Sequence, residues 1–177
     1  MTGVQTCALP IYTYREIETL EDYRNRYGLY KSDPDLQAIH AAAPFVVTWD
    51  DHEVDNNYAG DISERADPLD RFLLRRANAY QAYYEHMPLR RASLPQGPDM
   101  RLYRSLSYGQ LAGFFVLDTR QYRTNQACND ERGPACPAVF DEAATLMGAA
   151  QESWLFNALQ SSSTNWNIIP QIGRAHV

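Results

Sequence analysis

The chain has 177 residues, of which 45% are hydrophobic, a length and composition that suit one domain with a sizeable core. Twelve tyrosines and three tryptophans argue against a disordered chain. The net charge of -6 argues against a nucleic-acid groove or a surface for anionic membranes, and the longest uncharged apolar run, Leu111 to Leu117, is too short to be a transmembrane segment.

The two ends of the chain are similar to translated sequencing-library adapter. Residues 172–177 can be encoded by ATC GGA AGA GCA CAC GTC, and the reverse complement of that string lies inside one encoding of residues 1–11. Neither end has the basic start and long apolar core of a signal peptide. We therefore expect residues 1–11 and 172–177 to be adapter-derived and non-native, and residues 12–171 to be the central fragment of a longer catalytic domain.

Two helices are predicted first along the chain. Residues 17–30 carry acidic side chains before basic ones, the order that a helix dipole favours, and Gly28 is expected to end or kink this helix. Asp33 followed by Pro34 is typical of an N-cap and a first helical position. This pair predicts a second helix over residues 34–42.

A short apolar run and a polar turn come next. Residues 45–49 are β-branched or aromatic and follow Pro44, which predicts a buried strand. Ligands bind outside the carboxyl ends of strands in open α/β sheets, and oxygen donors beside an imidazole suit metal-assisted chemistry. A solvated turn after an edge strand is the alternative. The side chains that follow the run directly are Asp50, Asp51, His52 and Glu53.

The second half of the chain predicts helices and a hairpin. Asp67 and Pro68 are expected to cap a helix that runs to about His86, and its arginines, Arg71, Arg75 and Arg76, are expected to form a solvated face. The remaining predicted elements are hairpin strands at 101–108 and 111–117 with Gly109 in the turn, a helix at 151–159, and a buried strand at 166–169.

Charged side chains follow the second hairpin strand. Asp118 lies at the end of its strand as Asp50 lies at the end of its own, so we expect the two ends to meet. Asp118 and Arg120 are candidates to bind substrate or to support the ligands, because a planar guanidinium matches phosphate bidentately. A structural ion pair at the strand end is the alternative for Arg120.

Two cysteines flank a polar turn. Cys128 and Cys136 are candidates for a disulfide, which would suit an exported protein. Two reduced loop cysteines are the alternative, and two cysteines alone lack the other ligands of a metal site.

Three ordered blocks of the chain resemble one family. The first is Thr-Trp-Asp-Asp-His-Glu-Val-Asp-Asn-Asn-Tyr at 48–58, the second spans 115–123, and the third joins 151–155 with 165–171. They look like the blocks of the PhoD-like alkaline phosphatases, a branch of the binuclear metallophosphoesterases. The resemblance covers nearly all of the chain between its ends. It implies an α/β fold, an incomplete piece of a metallophosphatase-type α/β/β/α sandwich with an added helical segment.

The resemblance also implies chemistry. Family members hydrolyse phosphomonoesters or phosphodiesters and are associated with Ca2+ and Fe3+. The match implies that Asp51 is a metal ligand and that His52 is a catalytic donor to the transition state. Asp50 is either a metal ligand or an anchor for His52, while Asn56 and Asn57 either hold the turn in shape or contact the substrate.

Part of the family pattern lies outside the chain. The upstream Gly-Asp metal motif and the downstream Gly-Asp-x-His motif are absent from the sequence. We therefore expect the chain to be an inactive piece of an exported, monomeric enzyme that acts on small phosphate esters. The alternative is a non-catalytic or degenerate homologue that serves as a binding scaffold.

Overall fold

Four α-helices and one small sheet make up the part of the chain that the computed structural model describes, residues 16–130 and 133–171. None of these helices is long and apolar enough to cross a bilayer. The sheet has the strand order β1-β2-β3. The helices are α1 (Leu20–Lys31), α2 (Pro34–Ala42), α3 (Leu69–His86) and α4 (Gly148–Gln160), the strands are β1 (Arg104–Tyr108), β2 (Ala112–Val116) and β3 (Trp166–Ile168), and short 3-10 helices cover Arg91–Ser93, Ala127–Asp130 and Pro137–Phe140.

Local hydrogen bonds fix the starts of the first two helices. The Asp22 N–H donates to the Thr19 hydroxyl at 3.2 Å, and the Thr19 N–H donates to the Asp22 carboxylate at 3.0 Å, which completes a capping box. Asp33 caps α2 as predicted, because its carboxylate accepts a hydrogen bond from the Leu36 N–H at 2.9 Å.

Two predicted helix boundaries are wrong. Gly28 does not end α1, because its carbonyl accepts a hydrogen bond from the Ser32 N–H at 3.0 Å and the helix continues past it. Asp67 does not cap α3, because its side chain and its N–H both bond to the Ser63 hydroxyl, at 3.1 and 2.7 Å. Pro68 takes the N-cap position without a side-chain hydrogen bond.

The arginines of α3 do not form one solvated face. Arg71 is exposed, but Arg75 and Arg76 are only 8% and 6% exposed. Arg75 donates to the buried carboxylate of Asp55 at 2.8 Å, and Arg76 donates to the carbonyl of Gly60 at 2.6 Å. The prediction is therefore wrong for these two arginines, which tie α3 to the polar turn and its continuation.

The predicted hairpin is confirmed. β1 and β2 are antiparallel, with Arg104 opposite Val116 and Tyr108 opposite Ala112. Gly109 in the turn has a φ of 53°, in the left-handed region that glycine adopts without strain. β3 pairs with β2 in parallel, but all three of its residues are exposed because it forms the edge of the described sheet. The predicted burial of this strand is therefore wrong.

The apolar run at residues 45–49 does not join the sheet. Its neighbours meet it with side chains rather than with a backbone ladder: the Arg104 guanidinium donates to the Val47 carbonyl at 2.8 Å, and the Thr48 hydroxyl donates to the Leu117 carbonyl at 2.7 Å. The predicted strand at residues 45–49 is therefore wrong, although the segment still ends beside the carboxyl end of β2.

The core holds the polar turn from both sides. Trp49, directly before the turn, is 1% exposed and stacks on Tyr80 of α3 with 4.3 Å between ring centroids. The Tyr23 hydroxyl of α1 donates to the Val54 carbonyl at 2.5 Å. A smaller cluster between β2 and α4 contains Phe115, Leu117 and Leu155.

Candidate metal centre

Asp51 is the centre of the polar turn at residues 50–57. Its carbonyl accepts hydrogen bonds from the N–H groups of Val54 and Asp55 at 2.8 and 2.9 Å. Its carboxylate accepts a hydrogen bond from the Asn57 N–H at 2.6 Å. Asn57 has a φ of 53°, a conformation in which asparagine is enriched. The turn therefore closes around Asp51, which is 2% exposed.

Three side chains of the turn form a grouping with metal-ligand chemistry. Asp50, Asp51 and His52 each place one ligand atom within 4.8 Å of the others. Asp51 is buried, whereas 70% of the His52 side chain is exposed, and His52 Nε2 lies 3.8 Å from Asp51 Oδ2. Among the residues that the structure describes, this is the one such grouping of three acidic, histidine or cysteine side chains.

Arg120 holds both carboxylates. Its Nη2 lies 2.9 Å from Asp50 Oδ1 and 2.8 Å from Asp51 Oδ1, and its Nε lies 3.2 Å from Asp50 Oδ1. Only 4% of the Arg120 side chain is exposed. The structure therefore contains the ion pair that was the alternative for Arg120, and its role as a substrate-binding residue stays a prediction.

The two carboxyl groups differ in acidity. Burial raises the pKa of Asp50, and its hydrogen bond with Asp51 raises it further. Burial also opposes ionisation of Asp51, but the hydrogen bonds from Asp50 and the Asn57 N–H, together with the charge of Arg120, lower the pKa of Asp51 overall. Asp51 is therefore the more readily ionised member of the pair.

Asp118 lies behind the grouping and is fully buried. Its Oδ1 accepts hydrogen bonds from the Trp49 indole at 2.9 Å and from the N–H groups of Arg120 and Gln121 at 3.0 Å each. Its Oδ2 accepts from the Gln121 amide at 3.0 Å, and its own N–H donates to Gln151 at 2.8 Å. Burial raises the pKa of Asp118, whereas these donors oppose that shift. Asp118 therefore connects the loop that carries Arg120 to Trp49, the residue directly before the polar turn. The ends of the two segments meet, as predicted.

A chain of hydrogen bonds favours one tautomer of His52. The Asn56 amide nitrogen donates to Glu64 Oε1, so the amide oxygen of Asn56 points the other way and lies 3.0 Å from His52 Nε2. Because that oxygen accepts hydrogen bonds only, His52 carries its proton on Nε2. Glu64 thus fixes the donor form of an exposed histidine without touching it.

Glu64→Ala is expected to release this arrangement. Without the Glu64 acceptor the Asn56 amide can rotate, and neutral His52 should become a mixture of tautomers. The ring nitrogen shifts of His52, measured by NMR above pH 8, should report the change, and the rate of the full-length protein should fall roughly tenfold. Glu21→Ala, at an exposed position on α1, is the matched control. Identical His52 spectra in Glu64→Ala and in the unmodified chain would contradict the assignment.

Three polar residues that hold the candidate site residues in place were not identified from the sequence. Glu64 and Gln126 carry no motif signal, yet Gln126 donates to the Asn57 carbonyl at 3.0 Å. Gln151 belongs to the third block, but nothing local indicates that it is 1% exposed and bonded to Asp118. The segment that contains Gln126 leads directly to a disulfide between Cys128 and Cys136.

Comparison with known proteins gives the family. The sequence profile of the PhoD-like phosphatase family matches residues 4–173. The chain belongs to the PhoD-like phosphatase family. It is 60% identical over 156 residues to alkaline phosphatase D of Bacillus subtilis strain 168. A solved structure described as "Structure of PhoD" superposes with a TM-score of 0.85 at 60% sequence identity and covers 88% of this chain.

The chain spans only part of its PhoD-like relatives. The matched region is 88% of this chain but 27% of the B. subtilis protein, and it is 30% of the chain in the PhoD structure. The described fold, a small sheet with several helices, is the mixed α/β arrangement that the PhoD structure shares over this region.

The donor set of the turn fits a metal ion, as membership in this family implies. Carboxylate oxygens, such as those of Asp50 and Asp51, suit hard cations. Asn57, whose backbone N–H donates to Asp51, also has a buried side-chain oxygen without a hydrogen-bond partner among the described residues. The Asp50 and Asp51 carboxylates can therefore hold part of a metal shell.

Proposed function

We propose that the full-length protein that contains this chain is a metal-dependent hydrolase of phosphate esters, active on monoesters or diesters. One observation carries the proposal: Asp50, Asp51 and His52 place ligand atoms within 4.8 Å of one another, in a chain of the PhoD-like phosphatase family. A binuclear site needs ligands from several strands, so the 177-residue chain alone is proposed to be inactive.

Each residue of the turn has a proposed role. Asp51, ionised and buried, is the metal ligand, and Asp50 is the second one. His52 donates its Nε2 proton to the leaving oxygen, which suits an imidazole that is 70% exposed. Asn56 and Asn57 hold the turn in shape.

The residues around the turn support it. The Arg120 guanidinium offsets part of the charge of two adjacent carboxylates that would otherwise repel each other. Asp118 fixes the loop from which Arg120 reaches them. On the family resemblance we propose Ca2+ and Fe3+, which when bound would supply a Lewis acid for the phosphoryl oxygens and a hydroxide nucleophile. The whole enzyme is proposed to be a monomeric two-sheet sandwich that includes the three described strands.

Activity of the full-length protein tests the proposal. It should hydrolyse p-nitrophenyl phosphate or its bis-ester at alkaline pH, and a chelator should abolish the reaction because the carboxylates alone cannot activate water. The 177-residue chain with calcium and iron should release no p-nitrophenol above the blank. A full-length protein that binds metal yet hydrolyses neither ester would instead favour the scaffold alternative.

Export is proposed from the disulfide. Bonds between cysteines persist in oxidising compartments, and Cys128 and Cys136 are joined in the structure. Alkylation without reductant, followed by mass spectrometry, should label neither thiol in protein made in an oxidising compartment. Adding reductant first should label both, and two labelled thiols without it would contradict the proposal.

A further inference from the structure

A groove of about 940 Å³ lies beside the candidate metal centre. It is lined by Tyr27 and Tyr30 of α1 and by residues 52–56 of the polar turn. This volume lies within the range of roughly 300–1,000 Å³ that is typical of ligand pockets. Neither Asp50 nor Asp51 lines it, so the groove is separate from the carboxylates.

The position of His52 connects the groove to the proposed reaction. The exposed imidazole lies between the Asp51 carboxylate, 3.8 Å from its Nε2, and the open volume of the groove. A group that donates a proton to the leaving oxygen must lie on the side of the phosphorus from which the alcohol departs. With His52 as that donor, as proposed, the alcohol part of the ester would extend past His52 toward the groove.

The charges in the groove are largely paired. Arg75 donates to Asp55 at 2.8 Å and to Glu16 at 3.1 Å, and Arg65 lies 3.2 Å from Glu16. Glu53, which accepts the hydrogen bond of a backbone N–H, and Arg26 also line the groove, so its three acidic and three basic side chains balance in charge. A second phosphate or another strongly charged group would have to compete with these ion pairs, so the lining favours a neutral occupant.

Two tyrosine rings of α1, Tyr27 and Tyr30, give the groove an aromatic lining. Tyr27 is fixed by stacking on His86, with 5.1 Å between ring centroids, and Tyr30 lies one turn further along α1 and is half-buried. Aromatic faces bind the flat or apolar faces of other rings. We propose that the groove binds the neutral, ring-bearing alcohol of the phosphate ester, either an aryl or a glycosyl group; this inference rests on the proposed function.

Binding to the 177-residue chain tests the groove without metal or turnover. Saturation-transfer NMR should show that phenol or methyl glucoside binds, and glycerol, which has no ring, should give no signal. Binding of phenol would indicate an aryl group, and binding of methyl glucoside would indicate a glycosyl group. Tyr30→Ala should weaken the signal about three- to tenfold, and Tyr30→Phe should retain it. Tyr108→Ala, at an exposed position on β1, is the control. Equal binding of glycerol, or an unchanged signal in Tyr30→Ala, would overturn the proposal.

Kinetics of the full-length protein give the second readout. Tyr30→Ala should raise the KM for a ring-bearing ester such as phenyl phosphate about three- to tenfold and leave the KM for methyl phosphate unchanged. Equal effects on both esters would overturn the subsite. A full-length protein that hydrolyses neither these monoesters nor the p-nitrophenyl bis-ester would defeat the proposed function, whereas ring binding by the 177-residue chain would still establish the groove.

Discussion

Asp51→Ala in the full-length protein is expected to remove both metal and activity. Asp51 is the more readily ionised carboxyl of the grouping, and it accepts bonds from Arg120 and the Asn57 N–H. Its loss removes a ligand and leaves the guanidinium opposite Asp50 alone, so the remaining site is both incomplete and less negative. Metal content measured by plasma emission should fall, and hydrolysis of p-nitrophenyl phosphate should fall to the level of the buffer.

His52→Ala is the matched variant in the same turn. It removes a proton donor whose side chain is 70% exposed, so the protein should keep its metal while the rate falls on the order of 10²-fold. The different outcomes for two adjacent residues separate ligand from donor. Full metal occupancy in Asp51→Ala, or unimpaired turnover in His52→Ala, would show that these roles are assigned wrongly.

Most features that depend on neighbours in the sequence were predictable, although the helix end at Gly28 and the Asp67 cap were predicted wrongly. Asp33 and Pro34 predict the start of α2 because the cap bond joins residues three apart. The hairpin is similar, since alternating residues and Gly109 specify β1, β2 and their turn within a few positions. The polar turn was found for the same reason: its candidate ligands are consecutive.

Features that depend on distant partners were not predictable. The burial of Arg75 depends on Asp55, twenty residues away, and the pairing of Arg120 with Asp50 joins residues seventy apart. Residues 45–49 have the composition of a strand, but side chains of β1 rather than a backbone ladder meet them. The composition of a segment indicates that it can form a strand, but whether it pairs depends on a neighbouring strand that lies beside it.

The family resemblance supplied roles but not the supporting contacts. The consecutive residues Asp50, Asp51 and His52 could be matched to a motif, yet the Glu64 to Asn56 to His52 chain that fixes the tautomer needs the fold. These supporting residues lie in a loop without any periodic pattern, so neither hydrophobic spacing nor a motif marks them.

Asp118→Ala is expected to cause the largest loss of stability. The substitution takes the acceptor from four buried N–H groups: the Trp49 indole, the backbone N–H groups of Arg120 and Gln121, and one N–H of the Gln121 amide, whose nitrogen still donates to the Met100 carbonyl. Removing one partner from such a buried network costs about 3–5 kcal/mol, against roughly 5–15 kcal/mol for the whole stability of a domain. Urea unfolding of the 177-residue chain, followed by tryptophan fluorescence, should therefore shift to much lower urea.

Two further variants separate this role from a general effect of removing an aspartate. Asp61→Ala, at an exposed position, should change the free energy of unfolding by no more than about 0.5 kcal/mol. Asp118→Asn should be intermediate, because the amide keeps one acceptor oxygen but turns an N–H2 group toward a donor. Since Trp49 precedes Asp50 and the Arg120 N–H is held by Asp118, the same variants should weaken metal binding in the order of their instability. An Asp118→Ala chain as stable as Asp61→Ala would show that the buried carboxylate does not hold the site together.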